Sequence, residues 1–449
     1  MHPPQPPPTD GSTRDLRRVI GLPRATAMVV GTIIGASIFV QPSLISGAVP
    51  SPAGVLLVWA VAGALTLIGA LVTAELASAF PRTGGVYVYL GEAYSPAVAY
   101  LWGWAMFWSV HSGIIAAIAM IFARYAGHFV PLDATGTRVV AIAAILTLSL
   151  VNVVGVRQGT TVQTALTAIK LSALLVIIGL GLGPGPVLST TGSPRAAATA
   201  VPSTHAAVAA LVAGLFAFGG WHMVTYAAQE TERPERTIPR ALLIGTITVT
   251  TLYVGVNAAY LAVLPLATVV SSSRVAADFA DVVLGAGGAA AMSALVVIST
   301  LGAMTGIILA GPRVYLSMAE DGLLFRWAGA IHPRFRTPYR AILLQAFWSS
   351  MLVATGTYRA LFTRVVYTEW IFFGLMAASL FLLRRRPGYA PQYPVWGYPV
   401  VPAIFVLASA TIVVHQLVSD PAQSGAGLLL VLAGLPVYHL WIRRPRSEE

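Results

Sequence analysis

One lysine stands among the 27 basic side chains of this 449-residue chain. It is Lys170, inside the apolar string TAIKLSALL at 167–175. An ammonium group buried there is expensive and needs carbonyls or an acid beside it. Two stretches would supply backbone groups without intrahelical partners. Residues 31–41 read GTIIGASIFVQ, and residues 215–221 read LFAFGGW. Glycine weakens a helix interior by up to about 1 kcal/mol relative to alanine. In lipid, irregular backbone persists only where protein buries it or it lines a cavity. A helix half that begins near Ala36 presents amides and the positive end of its dipole, which suits a carboxylate. A half that ends near Phe218 leaves open carbonyls, which suit an ammonium. A ligand with both groups on one carbon is an α-amino acid. The plainer reading of each stretch is a close helix contact between small residues. Two interrupted segments in corresponding halves of a chain favour a shared site.

The elements that position these groups follow from composition. The chain is 57% hydrophobic and 10% charged, with a mean hydropathy of +0.77. Soluble domains are about 25% charged, so this is a polytopic membrane protein. It contains no cysteine, which excludes disulfides, including one to a partner subunit. The net charge of +11 reflects loop orientation rather than nucleic-acid binding, because no soluble basic domain is visible. After a proline-rich tail at 1–21, expected to be disordered and cytoplasmic, twelve apolar segments approach the roughly 20 residues a span requires. Their limits are 25–47, 53–79, 97–126, 138–155, 160–182, 206–227, 241–264, 286–317, 339–356, 362–384, 399–418 and 425–442. With the N-terminus inside, twenty arginines fall on the inner side and six on the outer. That bias fits twelve spans with both ends cytoplasmic. No cleaved signal peptide is apparent. Spans one and six carry the breaks. An offset of five makes them enter from opposite faces, as in inverted repeats.

Several strings extend the pattern. They are AELASAFPRTGGVYVYLGEAY at 74–94, NVVGVRQG at 152–159 and FAFGGWHMVTYAAQETERPERTIPRA at 216–241, followed by RVYLSMAEDGLL at 313–324, HPRFRTPYRA at 332–341 and GYPVVP at 397–402. With GTIIGASIFV at 31–40, in this order and spacing, the chain resembles the amino acid–polyamine–organocation (APC) superfamily, in its L-amino-acid-transporter branch. The resemblance implies an all-α fold of twelve transmembrane helices. Residues 22–182 would form the first inverted repeat and 206–386 the second, each of five spans, with helices one and six discontinuous. Residues 397–449 would add two further spans and a cytoplasmic C-terminus. It also implies secondary active transport of L-α-amino acids across the cell membrane, by an exchanger or a proton-coupled carrier and without sodium. Neither a cofactor nor a metal is implied.

The resemblance places the substrate at Thr32, Ile33, Gly35, Ala36 and Ser37 on span one and at Phe216, Ala217 and Gly219 on span six. Phe216 takes the gate position, and the carbonyls of Phe216, Ala217 and Gly219 face the ammonium. Related chains have glycine where this one has Ser37, which narrows the pocket toward small, neutral substrates. In sodium-coupled relatives a cation bridges spans one and eight. In sodium-independent ones a lysine on span five replaces it, and Lys170 matches that context. Lys170 is therefore expected to donate to carbonyls freed between Gly31 and Gly35, with Ser299 as a third partner, and to release and rebind a proton during the cycle.

Other polar groups have plainer readings. Glu75 and Glu92 flank the PRTGG motif and are expected to pair with arginines or cap helices. Glu369 lies early in span ten, where it either contacts substrate or pairs with Arg364. His222 follows the second break and reads first as a core histidine. His111 and His415 have weaker claims. The ETERPERTIPR run at 230–240 is a solvated charged loop by default, or else a latch. No HExxH or GxxxxGK motif is present, and scattered single acids and histidines do not make a hydrolase. A non-transporting amino-acid sensor or a channel of the same fold is the alternative.

Overall fold

The computed structural model describes residues 16, 18–183, 202–272, 274–285, 287–356 and 358–442, without the side chains of 358–366, 441 and 442. Residues 1–15 and 17 of the tail, Arg195 and the C-terminal Arg443, Arg444 and Arg446 lie outside them; residues 18–21, expected to be disordered with the tail, are instead ordered, with Ile20 fully buried. The chain opens with α1 (Leu22–Ile33) and α2 (Ser37–Ala48), bent 45° from each other at the first break. Then follow α3 (Pro52–Ala79), the short α4 (Val86–Ala93) and α5 (Pro96–Ala126), whose middle widens into a π turn over Met106–Val110. Next come α6 (Ala134–Val154), α7 (Val156–Leu182) and α8 (Thr204–Ala217). Past α8 the chain turns at Gly220 and continues as the 3₁₀ segment Trp221–Glu230. The remainder comprises α9 (Pro234–Val263), α10 (Leu266–Ser271), α11 (Val275–Leu284), α12 (Gly288–Ala310), α13 (Pro312–Glu320), α14 (Tyr339–Thr355), α15 (Tyr358–Leu383), α16 (Val400–Ser419), α17 (Pro421–Leu432) and α18 (Gly434–Ile442).

Among the described residues, nine helices are long and apolar enough to cross a membrane, or ten when the bent α1–α2 pair counts as one span. This is an integral, multi-pass membrane protein of all-helical architecture. Helix starts follow local chemistry. Ser51, Ser95 and Asp420 each accept a bond from a first-turn amide, and each precedes a proline at the first helical position. Proline costs nothing there, because that N–H has no intrahelical partner. Asp133 and Ser203 cap α6 and α8 in the same way.

Two features depart from the sequence reading. The chain after the second break is 3₁₀ rather than α-helical. Helices α10 and α11 fill the stretch between the expected spans 241–264 and 286–317.

The charged groups pair largely as expected. Arg384 Nε donates to Glu75 Oε1 at 2.8 Å, and Glu92 pairs with Arg82 at 3.2 Å. Tyr389 donates to the same Glu75 at 3.2 Å. Burial first, and then the Glu75 carboxylate, hold the Tyr389 phenol above its ordinary range. The 230–240 run is not wholly solvated. Glu230 is buried and forms a two-point ion pair with buried Arg313 of α13. Beside it, Ile20 bridges to Thr231, and the Glu230 carbonyl accepts from the amides of Val19 and Ile20 at 2.9 and 3.0 Å.

Candidate functional site

The two breaks meet. Thr32 at the end of α1 places Oγ1 3.1 Å from the Gly220 carbonyl. Gly220 has φ of +95°, a backbone region that side chains with a Cβ avoid. A Cβ there would also stand 3.2 Å from that of Thr32. From α9, Tyr253 Oη lies 3.1 Å from the Ile33 carbonyl and 3.2 Å from the Ala217 carbonyl. Its one proton serves either acceptor, so a single side chain reaches both breaks.

Lys170 on α7 is fully buried. Its Nζ donates to the carbonyls of Gly31 at 2.8 Å and Ile34 at 2.6 Å. Ser299 on α12 donates to the Gly35 carbonyl at 3.1 Å and stands 3.4 Å from that of Ile34. These are the contacts the sequence led us to expect. The helix stops at Ile33 because the chain extends at Ile34, where ψ is 90°. The carbonyls that lose intrahelical donors find Lys170 and Ser299 instead. Gly31 is required by packing. A Cβ there would meet Thr167 Oγ1 at 2.5 Å and Gln163 Nε2 at 2.9 Å.

A cavity of about 60 Å³ opens between the breaks. Thr32, Ile33, Gly35, Ala36 and Ser37 form one wall, and Phe216 and Gly219 form another. Seven of the eight substrate positions named from sequence thus share one cavity. Ala217 does not line it, because its carbonyl is turned to Tyr253. The carbonyl of Phe216 accepts from the Gly219 amide at 3.1 Å, so it too has a partner within the turn. The remaining walls include Ile114, Ile118 and Ile121 of α5, Ile307 of α12, and Glu369, Trp370 and Phe373 of α15. The α5 isoleucines fall at i, i+4 and i+7, the spacing of one helix face. That spacing was a readable signal, whereas Tyr253 left none.

Glu369 lines the cavity; its first reading, contact with substrate, belongs to the proposal below. The second, pairing with Arg364, concerns a side chain outside the described residues. His222 is buried among rings. Its centroid lies 4.8 Å from that of Phe373, 5.4 Å from Trp221 and 5.5 Å from Tyr226. It is a core histidine, not a cavity wall. His111 stands 3.3 Å from the Tyr315 hydroxyl. His415 lies on exposed α16, near Ser419 and His205. Among the described residues, no group of three histidines, aspartates or glutamates could hold a metal ion.

In chemical terms the site offers the start of α2, a turn at the end of α8, and an apolar chamber between them. Residues 20–436 match the family described as Amino acid permease. The serine/threonine exchanger SteT of Bacillus subtilis (strain 168) is 31% identical over 439 residues, covering 96% of this chain and 98% of that protein. Asc-type amino acid transporter 1 of Mus musculus is 30% identical, covering 96% and 83%. The human cystine/glutamate transporter is 30% identical, covering 96% and 87%.

Proposed function

The chain belongs to the amino acid permease family, and on that premise we propose that it carries small, neutral L-α-amino acids across the cell membrane by alternating access, without sodium, as an exchanger or a proton-coupled carrier. It is a transport protein, not an enzyme. One observation carries the reading: two interrupted helices converge on one cavity, and a lysine sits on the carbonyls of the first. The start of α2 takes the substrate carboxylate, at Gly35, Ala36 and Ser37. The turn at Phe216 and Gly219 takes the ammonium, and Phe216 closes over the bound substrate. The small chamber and Ser37 favour short side chains. Lys170 and Ser299 take the place of a sodium ion, and Lys170 is the group through which protons would couple.

The same reading orders the helices as twelve spans. Residues 22–182 and 206–386 are two inverted five-span repeats, and 397–449 supply the last two spans and the C-terminus, with both ends cytoplasmic. The positions of the two breaks, five spans apart, support this arrangement.

Counterflow into proteoliposomes loaded with unlabelled amino acid tests the proposal. Labelled small neutral amino acids should accumulate transiently, and equally when choline replaces sodium. A strict sodium requirement would remove the role given to Lys170. Steady conductance would favour a channel, and binding without flux a sensor.

A further inference from the structure

Glu369 is the one ionisable side chain on the cavity wall among the described residues. It is 5% exposed, and its Oε1 has no hydrogen-bond partner among them. Buried polar atoms are almost always paired, so an unpaired carboxyl oxygen at a ligand cavity calls for a partner. Its neighbours on α15, Trp370 and Phe373, are aromatic, and the facing α5 residues Ile114 and Ile118 are aliphatic. Tyr226 is also close by, but its buried hydroxyl is itself without a partner, so the two are not bonded, and what fills the cavity is left to pair with Oε1. In the carrier reading above, on which this inference rests, the two breaks take the α-carboxylate and α-ammonium. What remains to face Glu369 is the substrate's side chain.

We infer that Glu369 reads that side chain, and that the site takes short α-amino acids bearing a hydroxyl. Four considerations lead there. A hydroxyl donates to a carboxylate and accepts from a carboxylic acid, so it pairs with Glu369 in either protonation state. An aliphatic side chain of equal size leaves Oε1 unpaired, and sites built to bond a hydroxyl reject analogues lacking it far more strongly than apolar pockets reject a methyl. An acidic side chain would set two carboxyl groups against each other. A cationic side chain would be desolvated among isoleucines and aromatic rings with Glu369 as the one charged group on the described wall, a cost that a buried pair often fails to repay.

Isosteric pairs test this directly. Threonine and valine differ by hydroxyl against methyl, as do serine and 2-aminobutyrate. In counterflow with the full chain, the hydroxyl member of each pair should be preferred at least tenfold. Glu369→Met should bring both ratios below threefold. Equal handling of both pairs by the unaltered protein overturns the inference, and so does Glu369→Met that elutes as a folded species and keeps the ratios. Should Glu369→Met not fold, the two ratios of the unaltered protein decide between hydroxyl preference and equal handling. If no amino acid exchanges, the carrier reading itself falls. The same pairs are then compared by thermal shift, where a hydroxyl preference supports the role of Glu369 and equal binding ends it.

Discussion

Replacing Lys170 by methionine keeps a stem of nearly equal length and removes the ammonium. Two buried carbonyls then lose donors, Gly31 at 2.8 Å and Ile34 at 2.6 Å. Each buried acceptor left unpaired costs about 1–3 kcal/mol. Ser299 already stands 3.4 Å from the Ile34 carbonyl and can turn to it, at the expense of Gly35. Two carbonyls are unpaired either way, so the local loss is about 2–6 kcal/mol. Removing the charge also removes its own desolvation cost, an opposing term that acts on the whole fold. Melting temperature is for that reason a poor readout, and the backbone at Gly31–Ser37 is the good one. If the relaxed backbone is favoured by about 2 kcal/mol, the competent form falls to roughly one molecule in thirty, and apparent affinity falls with it. Counterflow over a range of substrate concentrations measures this, and hydrogen exchange at residues 31–37 should rise in parallel. A Lys170→Met protein with unchanged affinity and unchanged protection at the break would refute the reasoning.

Glycines at the breaks should separate into two kinds. At Gly219 an added Cβ meets only the Phe216 carbonyl, at 3.2 Å. Gly219→Ala should thus fold normally and lose exchange at least tenfold by occupying cavity space, checked by size exclusion and counterflow. Gly31→Ala clashes with Thr167 and Gln163 and should lower the melting temperature as well as activity. Tyr253→Phe removes the hydroxyl that serves the buried Ala217 carbonyl, while Ile33 keeps the Gly35 amide at 2.8 Å, and the loss should be about 1–2 kcal/mol. A melting curve in detergent should show that loss, and an unchanged curve would mean that the hydroxyl's bond does not matter. Arg313→Met strands the buried Glu230 carboxylate and should cost about 3–5 kcal/mol. Adding Glu230→Gln should restore part of it, read from the same melts.

Much of the fold was legible because its signals are local. Ser-Pro and Asp-Pro pairs before apolar runs mark helix starts at 51, 95 and 420. Glycine-rich interruptions at 31–37 and 215–221 mark the breaks. Lys170 was identifiable because an isolated cation in an apolar helix has few options. What sequence could not supply is pairing across long separations. Tyr253 reaches carbonyls 220 and 36 residues away, and nothing around position 253 announces it. Glu230 sits in a mixed-charge run that reads as solvated, yet its partner Arg313 is 83 residues off and buried with it. Helices α10 and α11 escaped a search for spans because their six and ten residues fall far below the roughly 20 that cross a bilayer. Ala217 was assigned to the cavity by its place beside Phe216, but its carbonyl is turned to Tyr253.

A sequence with one lysine holds one side-chain target for amine-selective reagents, and here that target is sealed. Lys170 has no exposed surface, and its Nζ is bonded to two carbonyls. A water-soluble acylating or reductively methylating reagent reaches it only through conformations in which the first break lets the amine go. The rate of labelling then counts openings of that break, and substrate that holds the break closed slows it. Carbon-13 methyl groups placed there would give an isolated spectroscopic reporter at the centre of the protein, obtained without changing any residue.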